Sequence, residues 1–206
     1  MSTKDRKERE KENRRETILQ AAEAVMMANG LHGLSIDLIA QETELAKGTI
    51  YLYFKSKEEI LGILTVKSRH ILYNEFEKIA ATPAAPIEKL HQIIKANYTF
   101  YKTNPLYYDL VSLYEANSQL TETEEMYQWS NNITQLVTNI VVQAQKDGVL
   151  NQSINPLHFT TCMWGMTVGI LQLIKVRGAI LKEKLGVSEE DMLATFLEIF
   201  ENGIRK

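Results

Sequence analysis

The chain has 206 residues, of which 45% are hydrophobic and 24% are charged, with 10 Gly and 4 Pro. This composition is typical of a globular protein with a sizeable core, and the single cysteine, Cys162, excludes an internal disulfide framework and a Cys-based zinc site. The formal net charge of −3 does not indicate a nucleic-acid-binding protein. Any affinity for DNA must therefore come from a few well-placed cations rather than from bulk charge.

The ends and the apolar runs of the chain predict a cytoplasmic protein without a membrane segment. Residues 1–16, MSTKDRKEREKENRRE, lack the apolar stretch of a secretory signal. The longest apolar run, Phe159 to Leu171, has about 13 residues, fewer than the ~20 that span a bilayer.

The first predicted helix combines a charged beginning with an apolar face. Residues 4–15, KDRKEREKENRR, alternate in sign, which favours a solvated extension of the helix. The alternative is an arm that enters the minor groove of DNA through Arg14 and Arg15. The buried face follows at helical spacing and ends at Asn29-Gly30; it consists of Ile18, Leu19, Ala22, Val25 and Met26.

Two short helices across a tight turn follow. Ser35 can cap a helix that ends near a turn at residues 43–45, and a second short helix covers residues 46–52. Ser56 and Glu59 form a capping box that starts a long third helix. This arrangement predicts a helix-turn-helix within a three-helix head.

The rest of the chain also has helical signals. Pro86 and Pro105 occupy positions suited to the first residue of a helix. A long helix from about residue 121 ends near Gly148, Asn155 opens another that ends near residue 181, and residues 188–191 cap the last. We therefore expect an all-α fold: a DNA-binding domain at residues 1–61, joined to a helical-bundle domain for ligand binding and dimerisation at residues 62–206.

The second short helix carries groups suited to a DNA groove. Lys47 and Lys57 are candidate phosphate ligands, while Thr49 and Tyr51 lie on the face that would meet base edges. Gly48 disfavours a helix by roughly 1 kcal/mol, which makes sense if the backbone must approach DNA closely. The full predicted set is Ser35, Lys47, Gly48, Thr49, Tyr51, Tyr53 and Lys57. Ordinary surface residues on a small helical hairpin are the alternative.

The motif KGTIYLYFKSKEEIL resembles the signature of TetR-family regulators, in which an Ile-Ala pair, a turn, a recognition helix, a Tyr-Phe pair and a Ser-Lys-Glu cap recur in this order. The resemblance covers residues 18–61 and implies a homodimeric, ligand-responsive transcription regulator, usually a repressor, on a palindromic operator. Two residues depart from the pattern. Glu44 stands where the family commonly has Gly, and Ala46 stands where it commonly has Ser. A positive φ at Glu44 would cost about 1 kcal/mol.

The last two helices are apolar on two faces each, which predicts one face for the core and one for a second copy. Gly165 and Gly169 would permit close helix approach. The predicted interface residues are Gly165, Gly169, Leu193, Phe196 and Phe200. A monomer that buries both faces internally is the alternative.

Aromatic residues concentrate between Tyr98 and Trp129, and Tyr suits the wall of a pocket for a mostly apolar ligand. The family resemblance implies a ligand chamber among these middle helices. The predicted effector-binding residues are Tyr98, Tyr101, Tyr108, Trp129, Met163 and Trp164. Plain core packing is the competing interpretation.

Signals for catalysis are missing from the sequence. The four histidines are dispersed without ligand spacing, and no Gly-rich phosphate loop or nucleophile elbow occurs. Cys162 lies in an apolar helix, so we expect it to be inert core. We predict a regulator without cofactor or metal; a regulator controlled by a partner protein and a helical-bundle enzyme are the alternatives.

Overall fold

The computed structural model describes residues 3–117 and 120–204, and its longer elements are all helices. A single 3₁₀ turn, Leu31–Gly33, follows the first helix. The helices are α1 (Thr3–Asn29), α2 (Ile36–Glu42), α3 (Lys47–Tyr51), α4 (Lys57–Ala80), α5 (Pro86–Thr103), α6 (Pro105–Ala116), α7 (Glu124–Lys146), α8 (Pro156–Leu185) and α9 (Glu189–Ile204).

The chain divides into two compact units. The first unit contains Met1–Ser68 and Leu106–Met126, so it holds α1 to α3, the first half of α4, and α6. The second unit contains Arg69–Pro105 and Tyr127–Lys206. The unit that holds the helix-turn-helix therefore extends beyond residue 61 and takes in a later segment of the chain.

The first unit has a mainly aliphatic core that includes the ring of Phe54. Ile18 of α1, Ile39 of α2 and Ile50 of α3 are fully buried, and Phe54 is 1% exposed. The Arg15 guanidinium lies 5.2 Å from the centre of the Phe54 ring, at cation–π distance. Arg15 thus covers the core of the head, and residues before it belong to α1, with Arg6 donating to Glu10 at 2.9 Å. The solvated helical extension is the interpretation that the structure supports.

The predicted caps form. Leu38 N–H donates to Ser35 Oγ at 3.2 Å, and Glu59 N–H donates to Ser56 Oγ at 3.3 Å. Asn155 Oδ1 accepts from the N–H groups of Leu157 and His158, and Asp191 N–H donates to Ser188 Oγ at 3.0 Å. These bonds satisfy backbone donors that the first turn of a helix leaves free, so helix starts were predictable from single residues.

Helix α8 has one buried face and one exposed face. The buried face includes Met163, Thr167, Leu171 and Ile174. By length and composition alone α8 could cross a membrane, since an 18-residue window has mean hydropathy 1.3, and 33% of that window is buried. The exposed face includes Cys162, which corrects the expectation that this thiol belongs to the core. Helical periodicity indicated two apolar faces, but it could not tell which residues the chain itself covers.

Candidate nucleic-acid interface

The turn between α2 and α3 is held by the backbone and by one threonine. Leu45 N–H donates to Ala40 O at 3.0 Å, and Thr43 Oγ1 donates to Ile39 O at 2.8 Å. Glu44 has a φ of 54°, the left-handed conformation that side chains with a β-carbon disfavour. The strain expected at Glu44 is therefore present, and the turn keeps its shape without glycine.

Helix α3 has an inner side and an outer side. Ile50 is fully buried and anchors the inner side in the core of the head. The outer side presents Lys47, Gly48, Tyr51 and Leu52 to solvent, with Tyr51 54% exposed. Thr49 is half-buried at the edge of this surface. We call the four exposed residues Lys47, Gly48, Tyr51 and Leu52 the α3 outer surface. It offers a cation, a bare stretch of backbone, a phenol and an isobutyl group.

Gly48 has no packing partner that would explain it. A β-carbon at Gly48 would meet no atom within 4 Å, and its φ is not in the left-handed region. Neither crowding nor backbone conformation requires glycine here, although alanine would favour the helix by up to about 1 kcal/mol. Nothing in the described part of the chain accounts for glycine at this position.

The predicted DNA-binding side chains around α3 differ in their exposure and in their hydrogen-bond or ion-pair partners. Lys47 Nζ forms a surface ion pair with the Asp37 carboxylate of α2. Such an exposed pair contributes at most about 1 kcal/mol, so it does not prevent Lys47 from exchanging partners. Lys57 is half-buried at the start of α4, and Tyr53 is half-buried against the core. The Ser35 hydroxyl accepts the cap bond from Leu38 and keeps its own proton available for donation.

Residues 18–62 match the family model for bacterial regulatory proteins of the tetR family. The fatty acid metabolism regulator protein of Bacillus subtilis (strain 168) is 31% identical over 137 residues, which are 66% of this chain and 66% of that protein. The chain belongs to the TetR family. The relatives are transcriptional regulators and not enzymes, in agreement with the absence of catalytic motifs from the sequence.

Further TetR-family comparisons extend the similarity beyond the head. The regulator UidR of Escherichia coli (strain K12) is 24% identical over 174 residues, covering 81% of this chain and 84% of that protein. The crystal structure of FadR from Bacillus subtilis in complex with stearoyl-CoA superposes with a TM-score of 0.72 at 21% identity, covering 92% of this chain and 98% of that chain. The predicted all-α architecture, a helix-turn-helix head with a helical body, is confirmed.

In the described part of the chain, the predicted effector-binding residues contact different neighbours. Tyr98 and Tyr101 lie 6.3 Å apart between ring centres, and the Tyr98 hydroxyl donates to Glu189 Oε2 at 3.1 Å. Trp129 packs edge-on against His70 and Tyr73 instead. Met163 and Tyr108 are buried, in different units, and Trp164 is half-buried.

Two surface grooves of the second unit lie among the residues that the structure describes. The first, of about 440 Å³, lies along α4 and α5, and the second, of about 280 Å³, along α5 and α7. Ile71, Phe100 and Lys95 are among the residues of the first groove. Neither groove is lined by a predicted effector-binding residue, so the aromatic content of the sequence did not locate either of them.

The predicted interface residues separate into two groups. Gly165 and Gly169 are exposed, and Leu193 is half-buried. Phe196 and Phe200 are 7% and 4% exposed, because they pack inside the chain's own core, where Phe200 lies 5.5 Å from Phe159 between ring centres. These two phenylalanines are therefore removed from the predicted interface. Ile199 is a large apolar residue of α9 that is 66% exposed.

The sequence alone did not reveal two features of the first unit. Leu52 is 79% exposed on the α3 outer surface. Its position two residues after the buried Ile50 places it on the other side of the helix and could have indicated this exposure. Glu23 of α1 accepts from Lys67 Nζ at 2.8 Å and from the Tyr107 hydroxyl at 2.6 Å. No local pattern could have joined residues so far apart in the chain.

Proposed function

We propose that this TetR-family protein is a cytoplasmic, homodimeric repressor that binds a palindromic DNA operator through α3 and is released by a small, mostly apolar effector. The observation that carries the proposal is the α3 outer surface, where Lys47, Gly48 and Tyr51 face solvent. The buried Ile50 holds the opposite side of α3 in the core. In a helix-turn-helix protein the second helix enters the major groove, and phosphate contacts fix its register.

The exposed face of α8 supports dimerisation. Met166, Leu173, Val176 and Ile180 are 42% to 63% exposed and recur at helical spacing. Gly165 and Gly169 lie on the same face, and a β-carbon at either would meet no atom within 4 Å. A second copy that packs α8 and α9 against their counterparts would cover this face in an isologous four-helix interface. Such a dimer would present two heads to half-sites about 34 Å apart.

Replacing Val176 by Arg tests the interface. We expect Val176→Arg to convert the dimer into a monomer, measured by light scattering coupled to size exclusion, because a charge would be placed in an apolar contact. Val149→Arg is the matched control, since Val149 is 41% exposed and lies outside α8. A wild-type protein that is monomeric at micromolar concentration would contradict the dimer.

Lys47 and Tyr51 test the DNA surface. Operator binding by Lys47→Met and by Tyr51→Ala should fall at least about tenfold, while thermal unfolding stays unchanged because both side chains are exposed. The operator is obtained by selecting duplexes from a random library with the full-length protein. Unchanged binding by both variants would show that α3 does not carry recognition.

An acyl chain is the first effector class to test. The support is the name of the 31% identical relative, a fatty acid metabolism regulator, together with the stearoyl-CoA named for the FadR structure. Acyl-CoAs of increasing chain length should raise the unfolding temperature and release the operator at similar concentrations, since a repressor's effector must bind the DNA-free state better. If no length of chain acts, and native mass spectrometry shows a co-purifying protein, a partner-protein regulator is favoured.

A further inference from the structure

We infer that Leu52 reads a thymine base of the operator by packing its side chain against the C5-methyl group of that base. The inference rests on the proposed function of α3. Leu52 is 79% exposed and gains little burial from the fold. An isolated exposed leucine is ordinary on a protein surface. Leu52, however, adjoins Tyr51 on a surface that also holds the cation of Lys47 and the unexplained glycine, Gly48.

The backbone fixes where Leu52 points. Leu52 N–H donates to Thr49 O at 3.1 Å, so the residue continues the turn of α3 as its C-terminal cap. Residues four apart lie on the same face of a helix, at about 3.6 residues per turn. Gly48 and Leu52 therefore share a face. A partner that comes close to the backbone at Gly48 meets the Leu52 side chain one turn further along.

The chemistry of leucine selects one feature of DNA. Its side chain has no donor or acceptor, so it can bond neither a phosphate nor the polar edge of a base. The C5-methyl group of thymine is the apolar feature of the major-groove floor. Contact between these two groups removes both from water without leaving a polar atom unpaired, and it makes Leu52 a specificity-determining residue.

The test removes one methyl group at a time. Each thymine of the selected operator is replaced by deoxyuridine, and affinities are measured with the full-length dimer. At one position in each half-site, deoxyuridine should lower wild-type affinity about fourfold, the effect of one buried methyl group. Leu52→Ala should bind the thymine operator about 16-fold more weakly, because both protomers of the dimer lose the contact, and it should not distinguish thymine from deoxyuridine at that position. Leu52→Met should retain the distinction.

Met27→Ala is the matched control, because Met27 is a 70% exposed apolar residue of α1. This variant should discriminate deoxyuridine as the wild type does. The inference is overturned if Leu52→Ala still discriminates at every position, if it binds as tightly as the wild type, or if it weakens all duplexes equally. Failure of the proposed function looks different: no duplex is enriched, or Lys47→Met and Tyr51→Ala bind like the wild type.

Discussion

At the scale of single residues, Gly48 gives up fold stability at a position where nothing inside the chain demands glycine. We predict that Gly48→Ala raises the free energy of unfolding by about 0.5 to 1 kcal/mol, because alanine favours a helix interior. The same variant should lose at least about tenfold in operator affinity, because the new methyl group separates the backbone from the DNA. Denaturant unfolding and fluorescence anisotropy measure the two effects.

Gly62→Ala is the matched control for this prediction. Gly62 also lies within a helix of the first unit, and a β-carbon there would make ordinary contact with Met126 Sδ at 3.6 Å. Gly62→Ala should gain stability without losing DNA affinity. If Gly48→Ala binds the operator as the wild type does, close backbone approach at this residue is refuted.

Single residues also show which features of the structure could be predicted from the sequence. The outward position of Lys47 and Tyr51 is explained by the buried Ile50 and the period of a helix. Phe196, Phe200 and Cys162 were misplaced for one physical reason: α8 and α9 are apolar on two faces, and spacing does not say which face the chain itself covers. That choice depends on contacts between distant segments, which a local pattern does not contain.

At the scale of helices, Glu23 joins α1 to α4 and α6 in the first unit. Its carboxylate accepts from Lys67 and Tyr107, and the Lys67 ammonium lies 5.6 Å from the centre of the Tyr107 ring. Burial lowers the pKa of Lys67, but the hydrogen bonds to Glu23 and Tyr107 outweigh burial and raise that pKa above its usual value. Burial and the bond to Glu23 both raise the pKa of the Tyr107 hydroxyl.

Replacing Lys67 alone should lower the free energy of unfolding more than replacing Lys67 and Glu23 together. We predict that Lys67→Met destabilises the protein by about 1 to 2 kcal/mol, because the nearly buried Glu23 side chain loses its cationic partner, while the half-exposed position of Lys67 reduces the loss. The double variant Glu23→Leu, Lys67→Met should recover part of that loss, as measured by urea unfolding. Strictly additive effects of the two substitutions would contradict this coupling.

A second ionic contact joins α5 to the start of α9. The hydrogen bond from Lys102 lowers the pKa of Glu189 by more than burial raises it, and the bond from Tyr98 lowers that pKa further. A carboxyl group with a lowered folded-state pKa stabilises the fold above its ordinary pKa, and the contribution is lost as the pH falls through the folded-state value.

We therefore predict that Glu189→Gln destabilises the protein at pH 7 and that the difference from wild type shrinks below about pH 4. The loss at pH 7 should stay below about 1 kcal/mol, because the pair is partly exposed to solvent, with the Lys102 side chain 48% exposed. Urea unfolding at a series of pH values measures it. Glu190→Gln, at an exposed neighbouring residue, is the control. A difference that persists unchanged at pH 3 would contradict the assignment.

At the scale of the whole molecule, the helices were more predictable than their association. Ser35, Ser56, Asn155 and Ser188 marked helix starts because each satisfies backbone donors within a few residues. The joining of α6 to the head was not predictable, since it rests on contacts such as Ser68 Oγ to Tyr107 O at 2.8 Å between residues far apart in sequence.

The low net charge of the molecule also leads to a quantitative prediction about how operator affinity depends on salt concentration. With Lys47 and Lys57 as the phosphate ligands of each head, a dimer neutralises about four phosphates, and the logarithm of the operator affinity should fall against the logarithm of the salt concentration with a slope of about −4. Lys57→Met should reduce the steepness by about 2, since the dimer loses two contacts. Lys7→Met, in the exposed extension of α1, should leave the slope unchanged. If the wild-type slope is instead about −8 and Lys7→Met makes it less steep, the charged beginning of α1 contacts the DNA. Operator affinity would then not depend on α3 and α4 alone.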